Sequence, residues 1–346
     1  YVIYSETGNS PAGKICNKEI VGKFSDLNKL KEFSSFCDIV TLENEFIDKE
    51  FIEFVESTGV QCLPGSDIVG FIQDKYIQKK KLFDINIPVP EFEMVNNTED
   101  IKQFAAKYKY PVILKSRTMG YDGKGNYKID NESMISEAYD SLGKRGELMC
   151  ERFVEFEKEL AVQVVRSKAG EIKIYPVVES IQKDHICNVV KASIAYDDER
   201  VKSIAVKIVE NTSYVGVLAV ELFHMDDGTL FVNELAPRVH NTGHYTIEGC
   251  YTSQFENHIR AVLGMPLGST GMKYKNAVMM NLIGSRNGKA NLEGYWDLIQ
   301  DEYAYIHFYG KDETRTGRKM GHITIVGEGL SQLLLKADKY HSKIKF

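Results

Sequence analysis

The sequence predicts a mixed α/β and α+β protein, and three observations predict it. Short apolar runs alternate with helical patterns through residues 1–75, as in a parallel sheet. The middle of the chain carries longer β-patterned runs joined by turn residues, which favours antiparallel pairing. Residues 271–346 are again rich in strand candidates. A chain of 346 residues is long for one core, so we divide it into segments 1–75, 76–270 and 271–346.

In the first segment the strand candidates are Tyr1–Tyr4, Ile20–Val21, Ile39–Thr41 and Val60–Leu63, with helical patterns at Asp26–Phe36 and Asp48–Ser57. Ligands of open parallel sheets bind beyond the carboxyl ends of strands. Glu43-Asn44 lies at such an edge, although an ordinary strand-end loop explains it equally well. Pro64-Gly65-Ser66 should open a helix running through Asp74-Lys75 to Phe83, and Ile87-Pro88-Val89-Pro90 is extended. Helix Ile101–Tyr108 precedes strand Pro111–Lys115, and strands follow at Leu148–Glu155, Glu159–Val165 and Ile172–Val178. Asp198–Asn211 reads as an amphipathic helix. Thr246–Leu263 reads as another, with Ile247, Tyr251, Phe255, Ile259 and Val262 assigned to the core and Gly264 as its cap. The last strand candidates are Ala277–Ile283, Tyr303–Tyr309 and His322–Val326.

Composition narrows the function classes. A net charge of −6 argues against a nucleic-acid surface, so any phosphate site has to be local. No apolar run is long enough to span a membrane and no signal peptide is recognised, so a cytoplasmic location is expected. The cysteines are scattered without a C-x-x-C, which fits reduced thiols and disfavours a zinc site.

The most informative stretch is VLAVELFHMDDGTLFVNELAPRVHNTGH, Val217–His244. Two β-rich runs meet at Asp226-Asp227-Gly228, a hairpin signal. The first run carries Glu221, and the second carries Glu234 beside Asn233. A lone strand carboxylate is usually solvated. Two on adjacent apolar strands can share a hard divalent cation. Arg238, His240, Asn241 and His244 follow as an anion-seeking tail. Upstream, Lys115 ends a strand and enters Ser116–Asn126, where Gly120, Gly123 and Gly125 alternate with Arg117, Asp122 and Lys124. Such a loop can cradle phosphate or be a plain hairpin tip; it is not a Walker A loop, and Lys115 shifts the balance toward nucleotide. Glu151 and Glu159 flank a candidate adenosine site, with edge-strand solvation the alternative. Lys311, Arg315, Arg318 and Lys319 form a cationic patch on a glycine-bearing loop, which as a solvated loop needs no ligand.

Together, Gly-Tyr-Asp-Gly-Lys-Gly (120–125), the 233–244 run Asn-Glu-Leu-Ala-Pro-Arg-Val-His-Asn-Thr-Gly-His and Gly-Arg-Lys-Met-Gly-His (317–322) resemble the ATP-grasp superfamily. Within it they resemble the 5-(carboxyamino)imidazole ribonucleotide synthases of purine biosynthesis; Glu43-Asn44 and Gln73-Asp74-Lys75 match weaker signatures in the right order. The resemblance implies an ATP-grasp fold with an N-terminal α/β preATP-grasp domain and a small β-rich C-terminal domain. It implies a ligase that uses ATP, bicarbonate and 5-aminoimidazole ribonucleotide, with Mg2+ or Mn2+, as a cytoplasmic homodimer. Carried over position by position, Lys75 and Lys115 contact ATP phosphates and Gly120, Tyr121, Asp122, Gly123, Lys124, Gly125 and Asn126 form a flap. Glu151, Arg152, Phe153, Val154, Glu159 and Gln182 hold adenine and ribose, and Glu221 and Glu234 bind the metal with Asn233 adjacent. Tyr121 and Asp122 face the aminoimidazole, Asp122 handling the proton. Glu43, Lys311, Arg318 and Lys319 hold the nucleotide substrate, and Arg238 and His244 face bicarbonate or carboxyphosphate. Departures are Gln182 where histidine is frequent, Met119 where glycine is frequent, and an opening strand, Gly-rich loop and helix expected to be missing before Tyr1. Other ATP-grasp ligases and a non-catalytic nucleotide binder are the rival readings; the 317–322 motif and the intact carboxylate pair disfavour them.

Overall fold

The structure, a computed structural model, describes residues 1–118, 125–144 and 146–346. In the N-terminal part, Val2–Ser5 pairs in parallel with Lys18–Val21, and Ile39–Val40 with Gln61–Cys62. Helices Leu27–Ser34, Lys49–Ser57 and Ser66–Gln73 cover them through Leu30, Ile52, Val55 and Val69. Asp26 caps the first helix by accepting from the amides of Asn28 and Lys29.

The helix expected to run unbroken to Phe83 is two helices, Ser66–Gln73 and Lys75–Asp84. Asp74 leaves the helical region (φ −88°, ψ 105°), and its carboxylate accepts from the amides of Tyr76 and Ile77. An aspartate is among the strongest N-caps, so it restarts the helix and sets the direction in which Lys75 emerges.

Among the described residues the remaining strands form a four-stranded sheet, a nine-stranded sheet and a short two-stranded ribbon. The four-stranded sheet runs Phe92–Val95, Leu148–Arg152, Val112–Ser116, Asn126–Ile129, all antiparallel, beneath helices Thr98–Tyr108 and Ile135–Gly143. Thr98–Tyr108 opens with a complete capping box of Asn97 and Asp100. In the large sheet the order is Leu230–Ala236, Gly216–His224, Lys158–Arg166, Val178–Lys183, Ile186–Ser193, Asn276–Ile283, Lys319–Gly327, Ala304–Phe308. Ile172–Ile174 pairs beside Lys158–Arg166. Three C-terminal strands, Asn276–Ile283, Lys319–Gly327 and Ala304–Phe308, therefore continue the central sheet. The join is Ile186–Ser193, a strand the sequence reading did not anticipate, paired with Asn276–Ile283. Alternation along Lys158–Arg166 fills both faces. Val162 and Val164 meet helix Glu199–Thr212, while Ala161 and Val165 join the core shared with helix Gln254–Leu263.

Two further expectations are corrected. The run Ile172–Val178 is interrupted around Pro176, and the second strand begins at Val178. Thr246–Leu263 is not one helix: Thr246–Gly249 stops, and Ser253 caps a second helix, Gln254–Leu263. The break turns the apolar stripe outward. Tyr251 is 67% exposed and Ile259 48%, while Val262 stays buried. The buried face is polar and fully occupied. Gln254 bonds both ways with the His240 backbone, Asn257 joins Tyr175 Oη and the Gly268 amide, and His258 Nδ1 accepts from the Val217 amide. Satisfied polar groups tolerate burial that unsatisfied ones do not. No helix among the described residues is long and apolar enough to cross a membrane.

Gly321, from the 317–322 motif, pairs with Phe308 of strand Ala304–Phe308; a Cβ there would sit 2.3 Å from the His307 carbonyl oxygen. Gly321→Ala should lower unfolding stability by about 1–3 kcal/mol through overpacking, measured by denaturant titration. An unchanged midpoint would show that the strands can separate freely.

Candidate functional site

A cleft of about 1460 Å3 opens between the two sheets and the start of helix Lys75–Asp84. Of the residues singled out from sequence, Lys75, Lys115, Asn126, Glu151–Val154, Glu159, Gln182, Glu221, Asn233, Glu234, Arg238 and Lys319 line it. Glu43, His244, Lys311 and Arg318 are not among the lining residues. Gly120, Tyr121, Asp122, Gly123 and Lys124 lie outside the described residues.

Glu221 and Glu234 are direct cross-strand partners. Just beyond them the register shifts: Leu222 pairs with Val232, which leaves Asn233 as the extra residue of a bulge. Successive strand residues normally point to opposite faces. The bulge removes that alternation, and Asn233 and Glu234 both line the cleft.

Their surroundings push the two carboxyls in opposite directions. Lys75 Nζ lies 2.7 Å from Glu234 Oε2 and holds that carboxylate below the usual range. Burial, then Glu234 and Glu159, push Glu221 up. His240 Nε2 stands 3.6 Å from Glu221 but is no counter-charge, because burial, Arg238 and Lys319 drive it down to about 3. Glu221 is therefore a carboxyl short of a cation. Among the described residues no three His, Cys, Asp or Glu are grouped to hold a metal. Two carboxylates and an adjacent amide do fit Mg2+, which takes one or two protein carboxylates and completes its shell with phosphates and water.

Lys115 donates to Glu151 Oε1 at 3.0 Å, and Lys79 Nζ lies 3.1 Å from Oε2. Burial opposes ionisation of Glu151, yet these lysines hold it below the usual carboxylate range. Oε1 is hydrogen-bonded by Lys115 and Oε2 is ion-paired to Lys79 without a hydrogen bond, and Glu151 lines the cleft together with Glu159, which burial raises and Gln182 bonds. Sequence reading missed Lys79, since the run Lys79-Lys80-Lys81 looks like a solvated helix face. Arg117, expected in the phosphate loop, instead grips Asp74 with Nε and Nη2.

At the other end, Arg238 forms a two-pronged pair with Glu45, its Nη2 2.7 Å from Oε1. Lys311 donates to the Lys319 carbonyl at 2.8 Å, and burial, then Arg318, depress its pKa. Arg318 donates to the Glu313 carbonyl. Glu43 is exposed, following strand Ile39–Val40 as expected. His244 corrects an expectation. The Asn241–Gly243 turn swings it away from the cleft, against Gln254 (3.1 Å) and the ring of His322 (5.1 Å between centroids), and His240 takes the cleft position.

The chain matches the ATP-grasp domain family over residues 80–255, the ribonucleotide synthetase preATP-grasp domain over 1–73 and the phosphoribosylaminoimidazole carboxylase C-terminal domain over 277–336. It is 39% identical to the chloroplastic phosphoribosylaminoimidazole carboxylase of Vigna aconitifolia, covering 97% of this chain and 62% of that protein, so it spans about three-fifths of that relative's length. The crystal structure of N5-carboxyaminoimidazole ribonucleotide synthetase from Thermotoga maritima superposes with a TM-score of 0.88 at 38% identity, over 99% of this chain and 91% of that one. N5-carboxyaminoimidazole synthase from Aspergillus clavatus, in complex with ADP and 5-aminoimidazole ribonucleotide, superposes at 0.85 with 32% identity, over 98% and 89%.

Burial holds the rings of His244 and His322 down to about 3 and about 2, so both are neutral in the fold. An unfolded histidine titrates near 6.5. Below that value the unfolded chain binds more protons than the folded one, so stability falls as pH drops from about 6.5 toward 3. His322→Gln should flatten that decline in denaturant titrations at pH 7 and pH 4; a slope equal to that of the unsubstituted protein would contradict it.

Proposed function

The chain belongs to the N5-carboxyaminoimidazole ribonucleotide synthase family of ATP-grasp proteins, and from that premise we propose that it carboxylates 5-aminoimidazole ribonucleotide with ATP and bicarbonate. ADP and phosphate are the co-products. The observation that carries this reading is the facing pair Glu221 and Glu234 in one cleft with Lys75 and Lys115.

In this reading a bicarbonate oxygen attacks the γ-phosphorus of ATP, the bond to the β-phosphate oxygen breaks, and ADP leaves. The exocyclic amine of the ribonucleotide then attacks the carboxyl carbon of carboxyphosphate, or the CO2 it releases, and phosphate departs. Lys75 and Lys115 hold the polyphosphate and offset its charge. Glu159 and Gln182 take the ribose, with Arg152, Phe153 and Val154 beside the base. Glu221 and Glu234, with Asn233, would hold Mg2+, which would neutralise charge on the polyphosphate.

His240, Lys319 and Arg238 line the cleft, Arg238 paired with Glu45, and in this reading they face bicarbonate and the nucleotide substrate. Lys311 and Arg318, one shell further out, and Glu43 favour the substrate's phosphate and ribose. In this reading Asp122, outside the described residues, accepts the amine proton. The same reading includes a cytoplasmic homodimer, which light scattering measures.

ADP release should require both 5-aminoimidazole ribonucleotide and bicarbonate; turnover indifferent to the nucleotide would sink the assignment. Glu234→Gln should fold normally by thermal melt. It should lose more than about 100-fold in turnover, beyond what outer-shell partners of a metal cost. Near-normal turnover in this variant would rule out the metal role.

A further inference from the structure

Lys79 has no part in the scheme above. It is 2% exposed and is not among the residues lining the cleft. Taking an ammonium out of water is costly, and leucine fills the neighbouring core position at Leu82 on the same helix. Its surroundings show what the charge does. Lys79 Nζ lies 3.1 Å from Glu151 Oε2 and donates to the Val232 carbonyl at 3.2 Å. Glu151 Oε1 takes Lys115 at 3.0 Å.

Two ammoniums thus share one carboxylate, and the group carries a net charge of +1. Lys115 is the member that lines the cleft. Without Lys79, Glu151 and Lys115 would be an ordinary neutral ion pair. Burial lowers the Lys79 pKa, and the Glu151 carboxylate 3.1 Å away favours its charged form.

A second set of bonds points the same way. Gln78 Oε1 accepts from the Leu235 amide at 3.2 Å, so Gln78 and Lys79 grip the strand on either side of Asn233-Glu234. Lys75, one turn earlier on the same helix face, holds the Glu234 carboxylate.

We propose that Lys79 is a positioning residue that leaves Lys115 uncompensated, so that the polyphosphate of the nucleotide meets a free cation beside a fixed Glu234. The inference rests on the nucleotide-binding reading above. The specific demand is for diphosphate or triphosphate, since adenosine alone gains nothing from Lys115.

The test is calorimetric titration of ADP and of adenosine, with magnesium chloride present, into the unsubstituted protein, Lys79→Met, Lys115→Met and the double variant. ADP affinity should fall about tenfold in Lys79→Met, about 1.4 kcal/mol. Adenosine affinity should stay unchanged, and the Lys79 effect should vanish in the Lys115→Met background. Equal losses for ADP and adenosine, or the same loss in both backgrounds, would overturn the proposal by reducing Lys79 to a structural part. If Lys79→Met does not melt cooperatively, Lys79→Gln, which keeps a donor for the Val232 carbonyl, takes its place with the same expected outcomes. An unsubstituted protein that binds no ADP would overturn the nucleotide reading itself and this inference with it, whereas binding without carboxylation would overturn only the proposed reaction.

Discussion

Two carboxylates set opposite one another across a sheet repel, and the rest of this structure is arranged around that repulsion. Glu221 and Glu234 are fixed as neighbours by strand register. Neither can turn away, because the strands that carry them are buried in the central core. The chain resolves the conflict unevenly. Lys75 favours the ionised form of Glu234, while burial and the neighbouring carboxylates oppose ionisation of Glu221.

The cations reach the site through one helix start. Asp74 breaks the preceding helix, caps the next and holds Arg117. That single aspartate directs Lys75 into the cleft and ties the four-stranded sheet to the helix. Lys79 and Gln78 then brace the Glu234 strand from behind. Positive charge is thus layered, with Lys75 and Lys115 lining the cleft and Lys79 buried behind them against Glu151.

Much of this was legible in the sequence where local rules suffice. The Asp226–Gly228 turn, the alternation along both hairpin strands and the two glutamates follow from periodicity and turn chemistry. What escaped depended on partners distant in sequence. Lys79 sits in a lysine run, and only Glu151, far along the chain, makes it a core residue. Tyr251 and Ile259 follow helical spacing, yet Gln254, Asn257 and His258 took the interior because each found a hydrogen-bond partner there. His244 and His240 are equivalent in a motif and differ only through the short turn between them. The bulge at Asn233 left no sequence mark either, although it lets two adjacent residues share one cleft.

Four strands separate the one bearing Glu221 from the one bearing Lys319. Laid flat, a sheet would hold those strands about 24 Å apart, at about 4.8 Å per step. Yet both residues line one cleft, and the charge of Lys319 acts on Glu221. The sheet must therefore curl like a cupped palm, with its two ends facing each other across the hollow. The width of that hollow is an angle summed over many strand pairs. Substitutions that change twist at Ile186–Ser193, far from any reacting atom, would open or narrow the gap between the two ends.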